Sequence, residues 1–288
     1  MKIKKILIIC VSLLICLLLV DCLQWSHRLT QAIYKDDQDA VNELLLEDGH
    51  DINKKSGYVL NICFGDELSA ANPLEAAIYS DNYQYIVPLL EYGADPNSIE
   101  VNPVSWIMED MNQSNYEEKS ELIDIFFEYG LDPDYVAGDG ESMLCVIAGE
   151  DVCNEETGEY DHEYAEYILN LYKSIQDKCD DKKQVDEYGN TPIHWAVAYG
   201  KNIDLIEYLI VGCGYSIDEL NDDEQTPLIF MFSSQSFEYP ESRCNVEEVI
   251  EFCVNNNCDL SLKDKNGYTA CDYAQMSEYL DIDNLLDF

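Results

Sequence analysis

Histidine is the side chain best suited to acid–base chemistry near neutral pH, and the chain has four of them: His27, His50, His162 and His194. Nucleophilic catalysis also needs a base beside the nucleophile and a third group that orients the base. The sequence has no Gly-x-Ser-x-Gly turn and no phosphate-binding glycine loop. His162 has no second histidine four residues later, as a zinc-protease helix would require. We therefore predict that the protein is not an enzyme and uses no cofactor.

Carboxylates are abundant enough to suggest a metal site. Two loops concentrate them, and their acidic residues are Asp132, Asp134, Asp139, Glu141, Glu155, Glu156, Glu159 and Asp161. Calcium prefers oxygen ligands, but the glycine that an EF-hand loop requires at its sixth position is replaced by Ala137. No Cys-x-x-Cys pair is present for structural zinc. We therefore predict solvated acidic loops and no metal site.

The overall charge restricts the classes of partner. The sequence has 58 acidic and 16 basic residues, which gives a formal net charge of −42. Nucleic acid is excluded as a partner because phosphate binding needs a basic surface. A basic protein partner fits this charge better, although acidic composition can also serve solubility alone.

The N-terminus has the pattern of a targeting segment. Lysines at positions 2, 4 and 5 precede an apolar run from Ile6 to Val20, which suits a signal peptide and is short for a membrane span. The sequence around Cys22 resembles the lipid-attachment box of bacterial lipoproteins, except that Asp21 replaces the usual small residue. We predict a signal peptide or membrane anchor over 1–22 and export to the cell envelope. Lipidation at Cys22, cleavage with secretion, and an uncleaved anchor all remain open.

Cysteine usage does not decide between packing and bridging. Nine cysteines follow Cys22, and an exported chain can form disulfides. Three of them occupy predicted helical positions where small apolar residues pack, and we expect these to be packing residues: Cys145, Cys253 and Cys271. Cys145 and Cys153 are close in sequence, as are Cys253 and Cys258, so each pair is a candidate bridge.

These features must be positioned by a unit that repeats along the chain. Its start combines a capping residue with proline, which suits the first turn of a helix, at Asn72-Pro73, Asn102-Pro103, Thr191-Pro192 and Thr226-Pro227. Its end is a glycine where a helix must stop, at Gly49, Gly93, Gly130 and Gly214. Between them, apolar periodicity predicts second helices near 37–48, 83–92, 118–129, 162–177, 202–211 and 245–256.

The segments Thr191-Pro192-Ile193-His194 and Leu89-Leu90-Glu91-Tyr92-Gly93-Ala94-Asp95 resemble the start and end of an ankyrin repeat. The resemblance extends over residues 23–288 and implies an all-α solenoid of about seven units, with insertions near 150–160 and 235–245. We number the units by their anchor residues: Leu29, Pro73, Pro103, Met143, Pro192, Pro227 and Ala270. It also implies that His194 makes hydrogen bonds between loops. Trp106 and Trp195 hold the same position in their units, and we predict that both are core residues.

Ankyrin repeats usually bind protein partners on their concave face. Carried over by position, that face contains the candidate partner-binding residues Tyr79, Ser80, Glu109, Asp110, Glu187, Tyr188, Asn190, Tyr199, Asp222 and Asp223. Tyrosine among carboxylates suits a basic partner. The alternative hypothesis is an acidic structural or protective protein of the cell envelope, which would act through bulk charge or cation binding without a dedicated partner.

Overall fold

A computed structural model describes residues 25–55, 71–100, 102–109, 111–112, 114–136, 140–154, 157–181, 183–234 and 244–276. The only β-type pairing in this part of the chain is an isolated antiparallel bridge between Cys153 and Tyr160. The predicted all-helical class is therefore confirmed. The targeting segment 1–22 with Cys22, the candidate residue Asp110 and the acidic residues at 139, 155 and 156 lie outside the described residues.

Helices of the described residues follow one another in a regular alternation. In chain order they are α1 (25–34), α2 (Gln38–Leu45), α3 (Pro73–Tyr79), α4 (Ile86–Tyr92), α5 (Pro103–Glu109), α6 (Tyr116–Glu128), α7 (Met143–Ala148), α8 (His162–Lys178), α9 (Pro192–Trp195), α10 (Ile203–Val211), α11 (Pro227–Ser233), α12 (Val246–Asn255) and α13 (Ala270–Met276). Odd-numbered helices are the first helices of the units and even-numbered helices the second. All the predicted second helices are present, while the number of units stays a prediction.

The predicted helix starts and stops have their expected geometry. Four capping side chains each accept a hydrogen bond from the backbone N–H three residues later, namely Asn72, Ser142, Thr226 and Thr269. Proline follows the cap in α3, α9 and α11, where its missing N–H costs no helical hydrogen bond. At the end of α4, Gly93 has a φ of +109°, a left-handed conformation that glycine adopts without strain.

The described residues form two compact parts. The first part comprises residues 25–103 and 125–131, and the second comprises 104–124 and 132–276. In the first part, Leu29 and Ile33 of α1 and Leu89 of α4 are fully buried. In the second part, α8 and α10 contribute Ile168 and Leu205 to the buried set. Each part therefore has its own apolar core built from first and second helices.

A further set of bonds links the ends of successive units. In the first part, the Asn53 side chain accepts a hydrogen bond from the backbone N–H of Asp95, with 2.7 Å between the heavy atoms. In the second part, Asp218 accepts one from the N–H of Asp259 at 2.9 Å. Asn53, Asp95 and Asp218 follow glycine stops, whereas Asp259 follows Asn257, which has a φ of +60°. The unit ends are therefore joined by side-chain-to-backbone bonds.

The two predicted insertions of the second part are joined covalently. Cys153 and Cys244 form a disulfide across 91 sequence positions, with their Cα atoms 6.0 Å apart. The candidate bridge between Cys145 and Cys153 is therefore wrong. Cys145 and Cys253 are buried free thiols, as predicted for packing residues, and Cys271 is a free thiol that is only partly buried.

The turn between α9 and α10 lies beside this disulfide. Lys201 in that turn is 2% exposed, and its Nζ lies 2.6 Å from the carboxylate of Asp151. The Lys201 carbonyl accepts a hydrogen bond from the side chain of Asn245 at 2.7 Å. Asp151 and Asn245 are close in sequence to Cys153 and Cys244, so ionic, hydrogen-bonded and covalent contacts fix both insertions at one place.

The tryptophan prediction needs a correction. Trp106 and Trp195 are both only partly buried, and neither belongs to the core. One edge of Trp195 packs on Gly149, where an added Cβ would lie 2.7 Å from the indole ring. Its indole N–H donates to the carboxylate of Asp186 at 2.9 Å, which holds the ring at the surface turn. The buried tryptophan of the described residues is Trp25, which is 2% exposed and precedes the anchor Leu29 in the first unit.

Candidate partner-binding groove

The site is built from three turns that share one construction. Each turn begins on an Asp or Asn whose side-chain oxygen accepts two backbone N–H groups, from the residues two and four positions later. The three turn-initiating residues are Asp186, Asn221 and Asp264. Short polar side chains favour this arrangement because they hydrogen-bond to nearby backbone.

Backbone hydrogen bonds join neighbouring turns edge to edge. Each runs from the N–H of one turn to a carbonyl of another, at 3.0 Å, in the pairs Glu187 to Gly140, Asp222 to Tyr188, and Lys265 to Asp223. A side-chain bond reinforces the second pair, since the Asn221 amide donates to Asn190 Oδ1 at 2.7 Å. The turn tips of units four to seven therefore form a connected edge.

An aromatic residue lies four positions after the cap in each of the last three units. These residues are Trp195, Phe230 and Tyr273. Where the turn begins with aspartate, the aromatic side chain donates a hydrogen bond to the carboxylate of that aspartate. The Trp195 indole N–H donates to Asp186, and the Tyr273 hydroxyl donates to Asp264 at 2.7 Å. Where the turn begins with Asn221, the aromatic residue is phenylalanine, which has no donor.

A local change of helix type adds another ring to this face. Helix α9 continues as a π-helical turn over Ala196–Gly200, a feature often found at functional sites. This turn places the ring of Tyr199 5.4 Å from that of Trp195 and 5.8 Å from that of Phe230, measured between centroids. Glycine is required at 200, because a Cβ there would lie 2.2 Å from the Ala148 carbonyl oxygen.

These elements enclose an open groove of about 520 Å³. Four aromatic residues line it, namely Tyr188, Trp195, Tyr199 and Phe230. Four carboxylates line it as well, namely Glu141, Asp186, Glu187 and Asp223. No lysine or arginine is among the described residues that line the groove. The groove therefore offers aromatic surface and negative charge together.

The structure brings together some of the candidate residues and separates others. The candidates that line the groove are Glu187, Tyr188, Asn190, Tyr199 and Asp223. Asp222 is exposed on the same turn as Asp223. Asn190 is 3% exposed, because its amide is bonded to Asp186 and Asn221 and serves to hold the turns.

The other candidate residues do not line this groove. Tyr79 and Ser80 lie in the first part at the end of α3, both partly buried. The Ser80 hydroxyl donates to the Ala76 carbonyl at 2.7 Å, as expected for a residue that completes a helix. Glu109 is exposed at the end of α5.

Sequence reasoning missed Trp195, Phe230, Glu141 and Gln225 as lining residues of the groove. The signal that could have revealed the first two was the recurrence of an aromatic residue at a fixed distance from the cap. For Trp106 and Trp195 the same recurrence also predicts packing in the core, so it does not by itself indicate a groove. Glu141 and Gln225 carry no signal in a single sequence, because only the folded turns bring them beside the rings.

Two titrating groups respond to this environment. Tyr188 is 62% exposed, and its hydrogen bond with the Glu187 carboxylate, together with the charge of that group, raises the pKa of the phenol. Tyr188 is therefore a neutral donor at the groove. His194 is fully buried beneath the turns, and burial lowers its pKa despite a hydrogen bond to the Gln225 carbonyl.

His194 has a structural role. Its Nδ1 accepts from the backbone N–H of Thr191 at 3.2 Å, so the proton lies on Nε2, which donates to the Gln225 carbonyl at 3.0 Å. The bond to Gln225 joins unit five to the turn of unit six. The implied role between loops is confirmed.

Comparison with known proteins identifies the repeat. Residues 193–286 match the family described as ankyrin repeats, in three copies. Residues 193–286 therefore carry ankyrin repeats. Two solved structures are similar to this chain. One is EF0377, an ankyrin repeat protein, at 17% identity with a TM-score of 0.39. The other is the ankyrin repeat domain of Bcl-3, a member of the IkappaB family, at 15% identity with a TM-score of 0.48. The match to EF0377 covers 91% of this chain and 96% of that protein's chain. The match to Bcl-3 covers 85% of this chain and 92% of the Bcl-3 chain. No curated protein has a matching sequence.

Ankyrin repeats are modules for protein–protein interaction, which is the class of function that the match over residues 193–286 implies. In the described residues, no set of three or more His, Cys, Asp or Glu side chains is arranged to hold a metal ion. Within the same residues, every helix is too short or too polar to cross a membrane.

Proposed function

We propose that this ankyrin repeat protein binds a basic protein partner through the face formed by its turn tips, and that it does so outside the cytoplasm. The observation that supports the binding proposal is the groove, where Tyr188 and Tyr199 lie among the carboxylates of Glu187 and Asp223. Half-exposed aromatic rings in a surface depression are typical of residues that dominate binding energy. Carboxylates at the same place favour a partner of opposite charge.

The charge of the whole chain supports the same partner class. A net charge of −42 attracts a basic protein over several ångströms and repels acidic ones. This attraction acts mainly on the association rate and is screened by salt, whereas contacts with buried rings persist at high salt. The two contributions can therefore be separated by experiment.

Two observations support action outside the cytoplasm. The N-terminal pattern over 1–22 is that of a signal peptide or membrane anchor. The disulfide between Cys153 and Cys244 is the kind of bond that persists in oxidising compartments and is rare in the cytosol. We propose that the chain is exported and either held at the membrane by its N-terminal segment or released.

The binding proposal is tested by capture from the native cell envelope. The double variant Glu187→Lys with Tyr188→Ala changes two exposed turn residues and should reduce recovery of the partner while far-ultraviolet circular dichroism stays unchanged. The matched control is Glu251→Lys with Tyr129→Ala, which makes the same changes at exposed positions outside the groove. The control should recover the partner like the wild type.

Each alternative result has a defined meaning. Equal capture by both double variants would refute the groove as the binding site. Recovery of many basic proteins without fixed stoichiometry, abolished by salt in every variant, would favour the acidic envelope protein that acts by bulk charge. A defined stoichiometry that survives salt and depends on Tyr188 would support the groove.

Export is tested separately. A periplasmic reporter fused after Phe288 should be active, and a cytoplasmic reporter at the same place inactive. Cys22→Ser should release the protein from membranes if Cys22 is lipidated, and leave it there if the segment is an uncleaved anchor. Activity of the cytoplasmic reporter alone would refute export.

A further inference from the structure

The floor of the groove is a continuous run of aromatic rings. The ring of Tyr199 contacts that of Trp195 at 51° between planes and that of Phe230 at 82°. All three side chains are partly buried and line the groove, so the rings are neither core residues nor isolated surface residues. Such rings present negative faces on which a cation can lie.

The rim of the groove carries the carboxylates that remain accessible. Asp186 is committed to the turn, because it accepts from the backbone of Tyr188 and Asn190, the Asn190 amide and the Trp195 indole. Glu187 and Asp223 are both exposed and line the groove. The contact of Asp223 with Lys265 spans 3.7 Å between side chains that are each more than half exposed, so it is a weak pair that a ligand can replace.

We propose that the groove receives an arginine side chain of the partner, a step that rests on the proposed function. A guanidinium is flat, so it can stack on Trp195 or Tyr199 while its N–H groups reach Glu187 and Asp223. Carboxylates accept such groups in strong, charge-assisted hydrogen bonds. A lysine ammonium is a compact, strongly hydrated charge that does not stack. An anion would meet repulsion from the rim.

The test uses three synthetic peptides of the form acetyl-Gly-Ser-X-Ser-Gly-amide, in which X is arginine, lysine or citrulline. Citrulline keeps the shape of arginine and removes its charge. Binding to the full-length protein is followed by NMR through the indole N–H signal of Trp195, which is assigned by its loss in Trp195→Phe. We expect the arginine peptide to bind about tenfold more tightly than the citrulline peptide, the scale of a partly desolvated cation–π contact, and measurably more tightly than the lysine peptide.

Variants separate stacking from charge. Tyr199→Leu removes one ring and should weaken the arginine peptide several-fold at both low and high salt. Glu187→Gln should weaken it mainly at low salt. Glu251→Lys, which lies outside the groove on α12, should leave binding unchanged. Circular dichroism checks that each variant is folded.

The results distinguish this inference from the proposed function. Equal binding of the arginine and lysine peptides, or an unmoved Trp195 signal, overturns the arginine site. If that happens while Glu187→Lys with Tyr188→Ala still loses the partner, the proposed function survives without the arginine site. If partner capture is also unaffected, both fail.

Discussion

Helices α3 and α9 begin alike but are tied to the following turn by different chemistry. In the first part, the third helical residue of α3 is Glu75, whose carboxylate accepts from the backbone N–H groups of Asn72 and Glu100, each at 2.7 Å. In the second part, the equivalent residue of α9 is His194, which accepts from its own cap and donates to the Gln225 carbonyl. One following turn presents an N–H and the other a C=O. The third helical residue is therefore an acceptor, Glu75, where the turn presents an N–H, and a donor, His194, where the turn presents a carbonyl.

The two solutions differ in charge as well. Glu75 is 2% exposed, and its carboxylate lies 3.5 Å from the ammonium of Lys55, which also contacts Glu100. His194 is buried as well, and burial lowers its pKa, so the ring is neutral. The same backbone junction is thus held by a paired charge in the first part and by an uncharged ring in the second. This difference predicts different responses to mutation and pH.

The largest expected effect contrasts the tryptophans of the two parts. Trp25 stacks on His50 and on Tyr92, with centroid distances of 4.6 and 5.6 Å, and is almost fully buried. Trp25→Ala should lower the free energy of unfolding by about 3–5 kcal/mol, as for large buried aromatic residues. Trp195→Ala should cost about 1–2 kcal/mol, since a partly exposed ring removes less apolar surface from water. Urea unfolding followed by circular dichroism measures both values.

A cost for Trp195→Ala equal to that of Trp25→Ala would show that the groove ring is a core element after all. The matched control is Tyr129→Ala, at a ring that is 39% exposed in the first part. It should cost no more than about 0.5 kcal/mol, as surface substitutions usually do.

The second prediction concerns the covalent link, which the structure shows in the second part. Reducing the Cys153–Cys244 bond should lower the free energy of unfolding by about 2–4 kcal/mol, because the bond restricts a long loop of the unfolded chain. Hydrogen exchange should show faster exchange in α10 and α12, which flank Lys201 and Asn245, and unchanged exchange in α3 and α4. Contacts in a repeat protein are local, so the effect should stay near the link.

The double variant Cys153→Ser with Cys244→Ser serves as the control. It should match the reduced wild type, and adding reductant to it should change nothing further. A further loss on reduction would mean that another pair of cysteines is bonded. Uniform faster exchange in both parts would contradict a local role for the bond.

Local features of the fold could be predicted from the sequence. The caps at Asn72 and Thr226 and the stop at Gly93 act through bonds to residues a few positions away, so a short segment determines them. The role of His194 came from resemblance to a family, because the three residues before it match that family's start. Nothing in the segment itself showed that the partner would be the carbonyl of Gln225, 31 residues later.

The groove and the disulfide could not be predicted, for a physical reason that they share. Helical periodicity indicates which residues face a neighbour, but whether Trp195 is covered depends on Gly149 in the preceding unit and on the π-helical turn that brings Tyr199 beside it. Cys153 and Cys244 are 91 positions apart, and each lies within a predicted insertion that has no repeat register. Both features depend on how units stack, which a single unit does not encode.

The smallest expected effect follows from the neutral ring at the second junction. Burial is the main cause of the lowered pKa of His194, and the nearby charges of Glu219 and Asp186 oppose it only in part. Below the unfolded pKa, near 6.5, the unfolded state binds the proton more tightly than the folded state, so stability falls as the pH decreases.

Wild type should therefore lose stability relative to His194→Gln between pH 7.5 and 5, by at most about 1.4 kcal/mol per pH unit, the slope for one proton. Glutamine can accept and donate at the same junction without titrating, and protonation of the many carboxylates cancels in the difference. Parallel stability curves for the two proteins would show that His194 keeps its ordinary pKa when folded, and burial of the ring would then not make the second junction sensitive to pH.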